Sequence, residues 1–128
     1  MDEPSARDDA IARQIVDSAF AIHSTLGPGL VESVYEQCLA YELQTRKLRV
    51  KRQLQLPVKY RDLVIEGGLR IDVLVEESVV VEIKAVEKIL PVHEAQLLTY
   101  LKLAGHRLGL LINFNVPLIK DGIRRLLG

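Results

Sequence analysis

The chain has 128 residues, of which 48% are hydrophobic and 27% are charged, and its 17 basic residues balance 17 acidic ones. This composition predicts one folded domain over residues 1–128, and it excludes general disorder and, since no apolar run approaches about 18 residues, a membrane span. The single cysteine, Cys38, excludes a disulfide framework and a cysteine-based zinc cluster, so we expect a reduced, cytoplasmic setting.

Two helices are predicted for the first third of the chain. The start, Met1–Pro4, has no basic segment followed by an apolar stretch, so no secretory signal is expected. Apolar residues at helical spacing predict a first helix, with Asp8 or Asp9 as its cap. The Pro and Gly residues of Leu26–Gly29 must end it, and a second helix follows from about Leu30 to Arg46.

The middle of the chain switches to an apolar period of two, which is typical of strands. Arg61-Asp62 and Gly67-Gly68 are predicted turns. The β-branched runs Leu69–Val75 and Val79–Ala85 surround the loop Glu76–Ser78 and predict a hairpin.

Mixed structure is predicted for the last third of the chain. Pro91 begins a helix that ends at Gly105, because Pro suits the first turn of a helix and Gly suits the position after its end. The apolar run Leu108–Ile112 predicts a buried strand, and a final short helix is predicted around Leu118–Leu127.

The predicted hairpin brings two carboxylates face to face. A three-residue loop pairs Val75 with Val79. Asp72 then lies directly opposite Glu82, with Cβ atoms about 5 Å apart, and Lys84 lies on the same face. The other face is an apolar core surface that consists of Ile71, Val73, Val75, Val79, Val81 and Ile83.

Facing carboxylates repel each other and destabilise a hairpin unless something compensates. A divalent cation such as Mg²⁺, which binds carboxylate and phosphate oxygens, would compensate. The alternatives are that Lys84 neutralises the pair on a solvated face, or that the register differs by one residue.

Polar residues on the helices add to this pattern. On the second helix, Glu32 lies at the border of the apolar stripe, as a half-buried ligand or an edge residue, and Glu36 lies nearer the polar side. His93, Gln96 and Tyr100 form one polar stripe on the third helix. Alternatively, Tyr100 is an ordinary core residue and His93 is an ordinary capping or surface residue.

Several of these residues resemble known motifs. Asp72 followed by Glu82-Ile83-Lys84 resembles the split D…(D/E)xK signature of the PD-(D/E)XK nuclease superfamily. Gln96-x-x-x-Tyr100 resembles the QxxxY element of its exonuclease-related branches. Upstream, Gly29-x-x-Glu32-x-x-Tyr35 is similar to the signature of the small prokaryotic GxxExxY proteins. Ile71 stands where the superfamily has proline, a variation that leaves the carboxylate of Asp72 in place.

The resemblance implies an α/β fold, a PD-(D/E)XK nuclease-like core with a mixed β-sheet flanked by helices. The predicted order of elements agrees with it. The resemblance also implies metal-dependent hydrolysis of phosphodiester bonds, in DNA rather than RNA. Asp72, Glu82 and the carbonyl of Ile83 would hold Mg²⁺ or Mn²⁺, with Glu32 contributing directly or through water.

The resemblance assigns roles to three further residues. Lys84 would orient the attacking water or stabilise developing charge, Gln96 would position the water or a phosphate, and Tyr100 would brace or stack against the substrate. The alternative is a non-catalytic nucleic-acid-binding or assembly protein that retains the nuclease fold. The intact acidic pair and lysine argue against that alternative.

The zero net charge limits how such a protein could bind nucleic acid, because binding by bulk electrostatics requires a basic surface. Phosphate binding must then come from a bound cation, from several copies in a homo-oligomer, or from a local patch. Candidate patch residues are Lys120, Arg124, Arg125 and the segment Arg46–Arg52, and each of them could equally be part of a solvated face.

Overall fold

A computed structural model describes residues 4–128, so Met1–Glu3, on which the expected absence of a secretory signal depends, lie outside the described residues. The described chain forms a five-stranded mixed sheet with helices against it, which confirms the predicted fold class. None of the described helices is long and apolar enough to cross a membrane. The elements are α1 Ala6–Leu26, α2 Glu32–Thr45, β1 Val50–Tyr60, β2 Leu63–Val75, β3 Val79–Lys84, α3 Pro91–Ala104, β4 Leu108–Asn113, a 3₁₀ turn Ile119–Gly122, and β5 Ile123–Leu127.

The strands are arranged in chain order, from β1 at one edge of the sheet to β5 at the other. Neighbouring strands run antiparallel except β3 and β4, which are parallel. A parallel pair needs a crossover connection, and α3 supplies it. The sheet is therefore built from hairpins at both ends, with one crossover in the middle.

The helices lie on both sides of the sheet. Buried residues of α1 and α2, among them Ile15 and Leu39, form one apolar cluster with the β2 and β3 residues Val73, Val75, Val79, Val81 and Ile83. Leu97 and Leu101 of α3 form a second cluster with Leu74 and Val80. The predicted core face of the hairpin is thereby confirmed except for Ile71, which is buried in the second cluster instead.

The start of α1 differs from the prediction. Ser5 is the N-cap, and its hydroxyl accepts a hydrogen bond from the backbone N–H of Asp8 at 3.0 Å. Asp8 and Asp9 lie in the first turn, where their negative charges still favour the helix N-terminus. The predicted cap was wrong because Ser and Asp suit the same position, and only the backbone shows which one occupies it.

The Gly67-Gly68 pair is not a turn but lies inside β2, whereas the predicted turn at Arg61-Asp62 does join β1 to β2. The β1–β2 register shifts between Leu56 and Val58. Pro57 cannot donate a ladder hydrogen bond there, and Gly67 has a φ of +64°, which suits a bulge. The segment 57–68, called the ribbon below, is exposed apart from the partly buried Val58.

The predicted final helix over Leu118–Leu127 is wrong, because a 3₁₀ turn is followed there by strand β5. This strand pairs antiparallel with β4, from Ile112↔Ile123 to Leu108↔Leu127. A Cβ on Gly122 would overlap the carbonyl oxygen of Asn113, so the chain passes closely against the end of β4. The backbone partners offered by β4 outweigh the helix-like apolar spacing of this short segment.

Candidate active site

One cleft at the sheet contains all six side chains that the sequence singled out for chemistry. Its volume is about 350 Å³. The six predicted residues that line it are Glu32, Asp72, Glu82, Lys84, Gln96 and Tyr100. Four further lining residues, which sequence reasoning missed, are Gln55, Gly67, Gly68 and Arg70.

Asp72 and Glu82 lie where the pairing of β2 with β3 ends. The register runs from Val75↔Val79 to Val73↔Val81, as predicted, and the ladder stops before the next position. The backbone N–H of Asp72 donates to Glu82 Oε2 at 3.1 Å, and the N–H of Ile83 donates to Asp72 Oδ2 at 2.9 Å. Each carboxylate therefore replaces a ladder bond with one oxygen and leaves its other oxygen for a ligand.

The environment of this pair opposes its ionisation. Glu82 is 5% exposed, and burial, together with the charge of Asp72, raises its pKa to about 8. Burial also raises the pKa of Asp72, against the lowering effect of the hydrogen bond from Ile83. The positive charge of Lys84 lowers both pKa values but leaves them raised.

Lys84 alone therefore does not offset the electrostatic cost of the acidic pair. None of the ion pairs found among residues 4–128 joins Lys84 to Asp72 or Glu82. The alternative in which this lysine simply neutralises the two carboxylates is thus disfavoured.

The donor set fits a divalent cation of the Mg²⁺ type. Such ions bind through one or two carboxylates plus substrate phosphates, and two carboxylates with free oxygens face the cleft here. In the described part of the chain, no three His, Cys, Asp or Glu side chains come together as a metal-binding cluster. Glu32 therefore does not complete a three-carboxylate cluster with Asp72 and Glu82.

Glu32 reaches the cleft from the first residue of α2. Its Oε2 accepts a long hydrogen bond of 3.4 Å from the N–H of Ala85, just after β3. The loop before α2 is held by Tyr35, whose hydroxyl donates to the carbonyl of Gly27 at 2.6 Å and accepts from the N–H of Leu30 at 3.1 Å. Gly29 in this loop has a φ of +104°, which favours glycine. The Gly29, Glu32 and Tyr35 pattern thus shapes the approach of α2 to the cleft.

Replacing Tyr35 by Phe is expected to destabilise the protein by about 1–2 kcal/mol, since two backbone groups lose their partner. The ring itself is fully buried and stacks on Phe114 with centroids 4.5 Å apart, so its packing is kept. Denaturant unfolding curves measure the change. Tyr41→Phe, at a 70% exposed position of the same helix, is the control and should leave the free energy of unfolding unchanged. Equal curves for both variants would contradict this role of the hydroxyl.

Glu36 is the clearest error of the helix prediction. The sequence placed it near the polar side of α2, but it is only 6% exposed. Arg52 Nε donates to its Oε2 at 3.0 Å, and Gln53 Nε2 donates to its Oε1 at 2.6 Å. Both donors come from β1, a partner that helical periodicity does not reveal.

The stripe on α3 separates into two functions. Gln96 Nε2 donates to the hydroxyl of Tyr100 at 3.0 Å, and both side chains line the cleft. His93 instead accepts a hydrogen bond at Nδ1 from the N–H of Leu90 at 3.0 Å, and its own N–H donates to the carbonyl of Leu90 at 2.9 Å. The alternative in which His93 is a capping residue is therefore confirmed.

Arg70 and Gln55 could have been found from the strand pattern. Arg70 precedes Asp72 by two residues and so shares its face in a regular strand, and Gln55 is its partner across β1 and β2. The charge of Arg70 lowers the pKa of Glu82. The cleft therefore combines carboxylates with a second cationic side chain.

The proposed basic patches are mostly neutralised. Acidic partners lie within 4 Å of six of their eight basic residues: Arg46 with Glu42, Arg49 with Glu76, Lys51 with Glu77, Arg52 with Glu36, Arg124 with Glu94, and Arg125 with Asp9. These segments therefore match the solvated-face alternative better than a phosphate-binding patch.

The chain matches one known protein family over most of its length. A family model described as the PD-(D/E)XK nuclease superfamily matches residues 9–126. One solved structure, "Crystal structure of SSO0001", is similar to the chain, with 21% sequence identity and a TM-score of 0.49. That match covers 94% of this chain and 58% of the other, so the chain spans little more than half of its length. No curated protein matches the chain.

Proposed function

Because the chain belongs to the PD-(D/E)XK nuclease superfamily, we propose that it is a metal-dependent nuclease that hydrolyses phosphodiester bonds, in DNA rather than RNA. The observation that carries this proposal is the pair of the partly buried Asp72 and the buried Glu82 at the end of the β2–β3 pairing. Each carboxylate keeps one oxygen for a ligand, and Lys84 lines the same cleft.

Asp72 and Glu82 would hold Mg²⁺ or Mn²⁺ through these oxygens. When bound, the ion supplies a Lewis acid that lowers the pKa of water and offsets charge on the phosphate. The backbone carbonyl of Ile83 is proposed as a further ligand, and Glu32 as one that acts through water. The side chain of Ile83 does not take part, because it is buried in the core.

The remaining cleft residues would act on water and phosphate. Lys84 presents an ammonium group that orients the attacking water or stabilises the charge that develops on the phosphate oxygens. Gln96 would position the water or a phosphate, with its amide held by Tyr100 at 3.0 Å. Arg70 joins them here as a second phosphate-binding candidate, since it lines the same cleft.

The loop geometry supports a finer assignment, to the prokaryotic GxxExxY branch of the superfamily. Gly29 adopts a positive φ, Glu32 begins α2, and Tyr35 fastens the loop. A homo-oligomer in the cytoplasm is part of the same proposal, because additional copies would enlarge the nucleic-acid-binding surface of a minimal domain. A light-scattering mass near 14.4 kDa at all concentrations would contradict the oligomer alone.

The proposal is tested by incubating the protein with labelled single- and double-stranded DNA and RNA, with and without Mg²⁺ or Mn²⁺. Cleavage of DNA that requires the divalent ion is the expected result. Binding without cleavage under all of these conditions would favour the non-catalytic alternative.

Replacing Lys84 by Ala is expected to abolish cleavage and to leave metal binding in place, because lysine is not a ligand. Calorimetric titration with Mn²⁺ and the cleavage assay measure the two effects. If Lys84 instead only balances the acidic pair, its loss would lower stability, and the divalent ion would affect neither the wild type nor the variant.

A further inference from the structure

Glu36 is a buried carboxylate next to the candidate active site but outside the cleft. A buried charge needs partners, and both of its oxygens have one, from Arg52 at 3.0 Å and from Gln53 at 2.6 Å. Glu36 thus connects α2 to two consecutive residues of β1. The nearby residue Glu32, one turn earlier on the helix, reaches the cleft itself.

The backbone of β1 is distorted at the point that Glu36 holds. Gln53 has a φ of +50°, a conformation that side chains other than glycine rarely adopt. The β1–β2 pairing includes Arg52↔Val73 and Leu54↔Ile71 but leaves out the position between them. Gln53 therefore forms a kink directly across from Asp72.

Asp72 thus has no strand-pairing partner in either β1 or β3. The β2–β3 ladder ends at Val73↔Val81, and beyond it the carboxylate of Asp72 accepts from the N–H of Ile83. A regular β1 strand would pair with Asp72 and draw it into the flat sheet. Because Gln53 is kinked, Asp72 does not pair with β1, and its backbone N–H and carboxylate form hydrogen bonds with Glu82 and Ile83 of β3 instead.

We propose that Glu36 is a positioning residue for this site: it holds Gln53 in the kinked conformation, and the kink fixes Asp72 where its carboxylate meets β3 and the cleft. The proposal rests on the proposed function for its effect on cleavage. Its effect on the backbone of β2 and β3 does not depend on that function.

The first test replaces Glu36 by Ala, which releases Gln53. Losses of a residue that orients a metal ligand are typically about 10- to 100-fold in metal affinity or activity, and we expect a loss of that size in Mn²⁺ affinity and in kcat. Glu36→Gln, which keeps one acceptor oxygen and the shape, should lie between Glu36→Ala and the wild type. It also covers the case in which the alanine variant does not fold.

The decisive test adds Gln53→Gly to Glu36→Ala. Glycine adopts a positive φ without strain, so the kink no longer needs Glu36. We expect the double variant to recover towards wild-type Mn²⁺ affinity. If Glu36 acts only by stabilising the fold, the double variant will bind Mn²⁺ no more tightly than Glu36→Ala does, and that result would overturn the proposal.

Glu42→Ala is the matched control, because Glu42 is also on α2 and also binds an arginine, Arg46, at 3.3 Å. It should leave Mn²⁺ affinity unchanged. The amide proton of Ile83, followed by NMR, reports its hydrogen bond to Asp72 without any metal, and Glu36→Ala should shift it. An unshifted Ile83 amide overturns the proposal, whereas a shifted amide in a protein that neither binds metal nor cleaves would count only against the proposed function.

Discussion

Replacing Asp72 by Asn is expected to abolish metal-dependent cleavage while the fold remains intact. In the wild type the N–H of Ile83 donates to Asp72 Oδ2 at 2.9 Å, and the side-chain oxygen of Asn can accept the same hydrogen bond. Asn loses, however, the negative charge that attracts a cation. We expect a loss of at least about 1000-fold in kcat/KM, which corresponds to about 4 kcal/mol of transition-state stabilisation. Cleavage assays and calorimetric titration with Mg²⁺ or Mn²⁺ measure it.

Without metal the same substitution should raise stability above about pH 8, where Glu82 is ionised as well and two like charges face each other in a partly buried setting. Unfolding curves without divalent ions check this. Asp62→Asn, at an exposed turn between β1 and β2, is the control and should change neither cleavage nor stability. Wild-type cleavage by the Asp72 variant would refute the proposed metal site.

Without divalent ions, the wild-type protein should lose stability as the pH rises from about 4.5 to about 8. Burial, and then the charge of Asp72, raises the pKa of Glu82 from 4.5 to about 8. In this range the folded state therefore holds a proton on Glu82 that the unfolded state has released. The bound proton stabilises the folded protein fully below the pKa of Glu82 in the unfolded state, and this stabilisation is lost as the pH rises through the pKa of Glu82 in the folded state. At about 1.4 kcal/mol per pKa unit, the loss amounts to several kcal/mol.

Glu82→Gln should remove most of this dependence, because a neutral amide has no proton to lose. Mg²⁺ or Mn²⁺ should oppose the loss in the wild type, since metal binding requires ionised carboxylates and strengthens as the pH rises. Unfolding curves between pH 4 and pH 9, with and without the ion, give the answer. The same dependence in Glu82→Gln as in the wild type would show that another group is responsible. Glu66→Gln, at an exposed position of the ribbon, is the control.

The central hairpin could be predicted from the sequence because its information is local. A three-residue loop at Glu76–Ser78 and β-branched runs on either side fix the register from Val75↔Val79 to Val73↔Val81, and Asp72 and Glu82 follow where this pairing ends. The exchange of hydrogen bonds between carboxylates and backbone could not be predicted. It depends on the end of the β2–β3 ladder, which strand periodicity does not indicate.

Three of the errors share one cause, which is pairing with another segment of the chain. The Gly67-Gly68 pair is compatible with either a turn or a bulge. It forms a bulge because it lies in β2 across from Pro57 of β1, where the register shifts. Glu36 is buried because Arg52 and Gln53 come to it from β1. The C-terminal segment has spacing that suits a short helix, and the free edge of β4 makes it a strand.

The ribbon has a consequence for local opening of the native state. Its two segments pair only with each other among the described strands, and two-stranded structures are marginally stable alone in water. Its backbone amides should therefore exchange with solvent deuterium long before those of β3 and β4, at a free energy well below that of global unfolding. Gly67 and Gly68 of the ribbon form part of the cleft wall. One wall of the cleft thus lies on the central strands, and the other lies on the ribbon, which opens locally without global unfolding. A ligand that contacts both walls should therefore slow the hydrogen exchange of the backbone amides in the ribbon.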